Sequence, residues 1–283
     1  MSSTPRTVVV TGANSRTGRD LLPLVSDPNV RVTALVRTPE DLPADEVVPD
    51  WTRSPRAVEV IANASVVVHL SGVFAAPDLD TYEAGNVAST RRVVDSIHPA
   101  ARLIYVSYVG ADSAHDNWYI RTKGQAEDLV NSVSDSVIFR VHPMVGGHDD
   151  PRPFELMLRQ KGPDAPVRVM GDGTQQFRPV HAADVIDAIV RATHGLGKAG
   201  TYDLVGPSDL TIEDMAEKIN GYAVPIDRVP IDRVAVPPGP PATVVDLLAN
   251  PTRSSDPDTV ARIFELTLTR PETGWPIAGP VSS

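Results

Sequence analysis

The chain alternates between short unbroken apolar runs and segments in which apolar residues recur every three or four positions. Thr7–Val10, Val30–Val36, Ser65–Leu70, Leu103–Ser107 and Ser136–Val141 are the unbroken runs. Runs of this kind, without polar alternation, suit strands covered on both faces, as in a parallel sheet. Between them, Arg19–Val25, Pro55–Ala62, Tyr82–Ile97 and Tyr119–Val133 read as helices, with Val87, Val93, Val94 and Ile97 on one side of the third. A strand and a helix in turn, about every 30 residues, predict an α/β fold: a Rossmann-type doubly wound parallel sheet with helices on both faces.

The regularity ends after residue 145. Residues 146–153, which include Asp149 and Asp150, are a loop by composition. His181–Thr193 reads as a helix, Thr201–Val205 as a strand, and Thr211–Ile219 as a helix capped by Ser208 or Asp209. Val224–Arg228 is repeated at once as Val229–Arg233, an extended edge segment limited by its prolines. Pro237–Pro241 reads as a stiff connector and Ile277–Ser283 as a frayed tail. The expected division is a dinucleotide-binding core of residues 1–145, to which 176–205 return, and a small C-terminal substrate-binding cap of 146–175 and 206–283.

Composition removes several function classes. The 283 residues include no cysteine, which excludes disulfides and thiol chemistry. A formal charge of −10 disfavours a nucleic-acid partner. No apolar run reaches the roughly 18 residues of a membrane span, so no membrane partner is expected. The first six residues lack the basic segment and apolar core of a signal peptide, which points to the cytoplasm. Neither a His-x-x-x-His spacing nor an acidic cluster marks a metal site, and no Gly-x-Ser-x-Gly elbow anchors a hydrolase triad.

Two places carry chemistry. Gly12 and Gly18 bracket the turn from the first strand into a helix, where unpaired N–H groups and a partial positive charge attract a pyrophosphate. A carboxylate at the end of the second strand would hold a ribose hydroxyl; Arg37 stands there instead and suits a 2′-phosphate, with Arg16 to assist. That favours NADP(H) over NAD(H). Farther on, Tyr119 and Lys123 lie four apart on one helical face, where the ammonium would lower the pKa of the phenol. Six tyrosines and only four lysines give about 0.08 such pairs by chance. His142 follows the last strand of the core and could face the nicotinamide, while His69 and His181 read as structural.

Together these segments resemble the short-chain dehydrogenase/reductase superfamily, above all its extended and atypical members, the NmrA-like and nucleotide-sugar-epimerase-like proteins. The matching stretches are Val-Thr-Gly-Ala-Asn-Ser-Arg-Thr-Gly (10–18), Leu-Val-Arg (35–37), Val-Val-His-Leu-Ser-Gly (67–72), Asn-Val-Ala-Ser-Thr (86–90), Tyr-Val-Ser (105–107), Tyr-x-x-x-Lys (119–123) and Arg-Pro-Val-His-Ala-Ala-Asp-Val (178–185). The resemblance implies Tyr119 as catalytic acid/base, Lys123 on the nicotinamide ribose, and Ser107 orienting the substrate, with Ser113 as its substitute. It implies a pyrophosphate loop of Gly12, Asn14, Ser15, Arg16, Thr17 and Gly18, with Ser15 in place of a usual glycine. Asp50 would face the adenine, and Leu70, Ser71 and Gly72 would pass beneath the cofactor. Tyr108, Val109 and Met144 would border the substrate. Arg178 would grip a substrate diphosphate or else pair with Asp184 or Asp187. The implied function is an NADP(H)-dependent oxidoreductase acting on a small molecule, as a monomer or homodimer. The alternatives are an epimerase or dehydratase using tightly bound cofactor, and a non-catalytic NADP-sensing module.

Overall fold

A computed structural model describes residues 5–146, 152–162, 164–230 and 241–275. Asp149 and Asp150, most of the second Val-Pro-Ile-Asp-Arg copy, most of the proline connector and the tail lie outside the described residues. The chain divides into two compact units, one of residues 1–140 and 186–202, the other of 141–185 and 203–283.

The first unit is built on a seven-stranded sheet. In chain order its strands are β1 (Arg6–Thr11), β2 (Val30–Leu35), β3 (Glu46–Val48), β4 (Val66–His69), β5 (Arg102–Tyr108), β6 (Ser136–Val141) and, at one edge, Gly200–Leu204. The spatial order is Gly200–Leu204, β6, β5, β4, β1, β2, β3. β1 pairs in parallel with β2 and β4, β2 with β3, and β4 with β5. The order reverses between β1 and β4, and Rossmann-type sheets bind ligands outside the carboxyl ends of strands at such a switch point.

Alternation along the strands decides what each face covers. Val9, Val67, Leu103, Tyr105 and Ile138 join one buried cluster with Ala57 and Ile61 of α2 (Pro55–Ala62), Val93 of α4 (Ser89–Ser96) and Ala126 and Val130 of α5 (Trp118–Val130). Val8, Val10, Val66, Val68 and Ile104 are buried on the other face. α1 (Arg16–Val25) packs on β1 and β2 with Leu21 and Leu22 fully buried. The expected helix over Tyr82–Ile97 is three pieces: a short turn α3 (Leu79–Tyr82), a π-helical segment (Glu83–Ala88) and α4. π-helical turns are rare and cluster at functional sites.

Among its described residues the second unit carries three two-stranded pairings: Val180–His181 with Met144–Val145, Leu210–Thr211 with Gln176–Phe177, and Ile226–Val229 with Val167–Met170. Its own core gathers Val145, Phe177, Met215, Ile219, Val245 and Leu248. The helix over Ile212–Asn220 is capped by Thr211, not by Ser208 or Asp209. The Thr211 hydroxyl accepts from Asp214 N–H while Asp214 reaches back to Thr211 N–H, and Gly221 ends the helix at φ 76°.

Candidate active site

The switch point supplies the first half of the site. Thr11 and His69 are Cα partners at the ends of β1 and β4, and the chain leaves them as Gly12 and Leu70–Ser71–Gly72. Gly12 has φ 62°, and a Cβ there would lie 3.0 Å from Ser71 N and 3.1 Å from the Leu70 carbonyl carbon. Left-handed backbone and close approach both demand glycine. A Cβ on Gly18 would lie 2.5 Å from the Ala13 carbonyl oxygen, so the second glycine brings α1 against the strand end. Ser15 has an evident local role: it is the N-cap of α1, and its hydroxyl accepts from Gly18 N–H at 3.1 Å.

A cavity of about 410 Å³ opens over these residues. Gly12, Asn14, Ser15, Leu70, Ser71 and Gly72 line it, with Arg37, Trp51 and Thr52. Arg37 is exposed, and no aspartate or glutamate is among the described lining residues. Arg16 and Thr17 follow the cap in the first turn of α1 but are not part of the lining. Asp50 is not part of it either. It sits in the turn after β3 at φ 45°, exposed, and donates its N–H to Arg37 O at 3.2 Å; the next two residues, Trp51 and Thr52, reach the cavity. A glycine-cradled turn, a capped helix start and a cationic rim fit a dinucleotide.

The second half stands on β5 and α5. Asn117 caps α5, accepting from Tyr119 N–H and Ile120 N–H. One turn in, Lys123 is 5% exposed. Its Nζ donates to Val106 O at 2.7 Å and lies 4.1 Å from the centre of the Tyr105 ring. Burial lowers its pKa to about 7, against the opposing pull of Glu127. Glu127 is itself buried and held by Arg140 through a forked contact of 2.9 and 2.6 Å. Ser107 follows Val106 on β5; its hydroxyl is buried and has no hydrogen-bond partner among the described residues. Ser113 is exposed, and its backbone packs where a Cβ on Gly124 would fall.

Tyr119 corrects one expectation. Its ring is packed edge-on by Phe74 at 5.2 Å and Tyr108 at 5.5 Å, with Tyr82 at 6.3 Å. Burial among these rings raises its pKa instead of lowering it. Helical spacing gave the shared face but not the aromatic shell. Tyr108 therefore touches the phenol ring, while Val109 is buried beside it in sequence.

The sequence profile of the NAD dependent epimerase/dehydratase family matches residues 8–203. The chain belongs to that family. This places it with the extended short-chain dehydrogenases/reductases, the group its motifs resemble. The chain is 30% identical over 226 residues to NADH dehydrogenase (ubiquinone) 1 alpha subcomplex subunit 9, mitochondrial, of Arabidopsis thaliana, which takes in 74% of this chain and 56% of the relative. The chain thus spans about half the length of that curated relative. Among solved structures, MoeE5 in complex with UDP-glucuronic acid and NAD has a TM-score of 0.73 at 18% identity, covering 93% of this chain and 94% of its own. UDP-glucuronic acid 4-epimerase from Bacillus cereus in complex with NAD has a TM-score of 0.67 at 19% identity, covering 91% and 99%. The Bordetella bronchiseptica enzyme WbmF in complex with NADH has 0.69 at 17%, covering 93% and 87%. At these identities the likeness is one of fold.

The other expected residues of this epimerase/dehydratase family member lie in the second unit. His142 is 3% exposed, and both ring nitrogens are engaged there: Nδ1 accepts from Arg178 N–H at 2.9 Å, which leaves Nε2–H to donate to Thr252 O at 3.0 Å. Arg178 pairs with neither Asp184 nor Asp187. It forks onto Asp209 at 2.8 and 3.0 Å, while Asp184 accepts from Thr269 and Asp187 pairs with Arg191. His142, Arg178, Asp209, Thr252 and Arg253 line a cavity of about 540 Å³. Met144 stands on the short strand Met144–Val145.

Sequence reasoning missed Asn86. It is 1% exposed; its Oδ1 accepts from Val73 N–H, and its Nδ2 donates to Val73 O and to Thr122 Oγ1. It ties the loop after β4 to α5. The signal was present in Asn-Val-Ala-Ser-Thr, but spacing alone does not distinguish a buried asparagine from an exposed one.

Proposed function

We propose that the chain is an NADP(H)-dependent oxidoreductase, transferring a hydride between nicotinamide and a carbonyl or hydroxyl carbon of a small organic substrate. The observation that carries this reading is that Tyr119 and Lys123 are both buried, one turn apart on α5, with the ammonium held on the Val106 carbonyl and the neighbouring Ser107 hydroxyl without a partner among the described residues. A buried lysine is expensive to keep, and functional sites are where such groups concentrate.

The bound cofactor would supply or accept the hydride. Gly12 and Gly18 let the loop lie close to a diphosphate at the positive end of α1. Arg37 would grip a 2′-phosphate. Tyr119 would hold a proton at Oη and exchange it with the substrate oxygen. Its raised pKa keeps the resting phenol protonated. Lys123 would hold the ribose hydroxyls, and Ser107 would donate to the substrate oxygen.

The solved relatives hold NAD or NADH, which favours the unphosphorylated cofactor. Arg37 in a lining without a described carboxylate is the ground for NADP(H) here. A second reading, epimerisation or dehydration with the cofactor reduced and reoxidised in one cycle, is favoured by the family name and by the UDP-glucuronic acid of one relative. Arg253 in the second unit's cavity would meet an anionic substrate group of that kind, Arg178 being forked onto Asp209. Turnover of carbonyl compounds tests the choice. One NADPH consumed per product supports the oxidoreductase; turnover without net consumption replaces it with the closed cycle.

A further inference from the structure

Every hydroxyl and ring nitrogen of one buried chain has a fixed direction. Thr90 Oγ1 donates to Asn86 O at 2.6 Å, so it can only accept from His69 Nε2, 2.9 Å away. His69 therefore carries its proton on Nε2, and its Nδ1 accepts from Thr11 Oγ1 at 2.7 Å. Thr11 Oγ1 in turn accepts from Ser71 N–H at 3.2 Å. At one end is the Leu70–Gly72 segment that lines the first cavity; at the other is Asn86, whose amide reaches Thr122 on α5. The His69 ring stacks on Tyr105 at 5.5 Å, and Lys123 Nζ lies over that same tyrosine. His69, Thr11 and Thr90 are fully buried and line no part of the cavity.

We propose that His69, held as the neutral Nε2–H tautomer, is a positioning residue that sets the dinucleotide loop and the Tyr119–Lys123 helix in one geometry. It acts through Thr11 and Ser71 on one side and through Thr90 and Asn86 on the other. Protonation would give Nδ1 a hydrogen facing the Thr11 hydroxyl proton and break the first link. Burial beside Lys123 opposes this, holding the His69 pKa down to about 3. The proposal rests on the dinucleotide-binding reading of the first cavity.

The test has two arms. Nitrogen NMR of the wild-type protein should show both His69 and His142 in the Nε2–H form at pH 8; the signal that His69→Phe removes should keep that form from pH 8 down to pH 5. NADPH titrations of wild type, His69→Phe and Thr90→Val should show about five- to tenfold weaker binding in both variants, the size of one lost positioning hydrogen bond. Thr90→Val keeps the histidine ring, so the second arm survives if His69→Phe does not fold. A His69 that titrates near its ordinary pKa or carries its proton on Nδ1 would overturn the proposal, as would two folded variants with wild-type affinity. If wild type binds neither NADPH nor NADH, the dinucleotide reading fails, and the tautomer arm still reports on His69.

Discussion

Replacing Lys123 by methionine removes a charge while keeping most of the side chain's length. Lys123 is almost fully buried, and burial sets its pKa at about 7, against roughly 10.4 in an unfolded chain. Between those values the unfolded chain binds a proton that the folded chain does not. Wild-type stability therefore rises with pH across that window. The linkage relation makes the lysine's unfavourable contribution about 4 kcal/mol at pH 7 and about 2 kcal/mol at pH 9. The Val106 carbonyl loses its donor in the variant at both pH values, so that effect cancels between them. Other groups titrate alike in both proteins. Urea unfolding of wild type and Lys123→Met should show the variant's relative stability falling by about 2 kcal/mol from pH 7 to pH 9. A difference that does not change with pH would refute the burial argument.

Gly18→Ala should be poorly tolerated, because the new methyl would lie 2.5 Å from the Ala13 carbonyl oxygen; overpacking against backbone should cost about 2 kcal/mol or more, read from the urea midpoint. Arg37→Ala should weaken NADPH about tenfold and NADH hardly at all by fluorescence titration, and equal losses would remove the 2′-phosphate role. Burial also lowers the pKa of His142, so the folded ring takes up its proton at a lower pH than the unfolded one. Unfolded histidine takes up a proton below about pH 6.5, so stability should fall as pH drops through that value. His142→Asn should flatten the fall between pH 6.5 and 5.5, and an unchanged slope would argue against the neutral buried ring.

The first unit was legible because parallel strands buried on both faces read as unbroken apolar runs. Val66–His69 and Ser136–Val141 announce themselves, and so does Pro55–Ala62 with proline in its first turn. Glu46–Val48 was missed because three residues beside a polar loop carry no period. The π-helical turn at Glu83–Ala88 was read as plain helix, since the same valines satisfy both patterns. Two-residue pairings such as Val180–His181 with Met144–Val145 exist only through tertiary contact. In the site, the glycine turn was readable because only glycine tolerates its backbone and neighbours. The partners were not. Sequence placed Lys123 beside Tyr119, whereas the fold spends its ammonium on Val106 and Tyr105. It offered Arg178 two aspartates close in sequence, whereas Asp209 is the one within reach. Ser15 read as a departure from a glycine pattern, yet serine is a preferred helix cap.

The central claim is that Tyr119 exchanges a proton with a substrate oxygen during hydride transfer. Turnover of NADPH by wild type and Tyr119→Phe, on the same carbonyl substrate, tests it most directly. The account predicts a loss of at least about 100-fold in kcat, the usual scale of acid–base catalysis, with NADPH affinity within twofold of wild type. Equal turnover by the two proteins would contradict it.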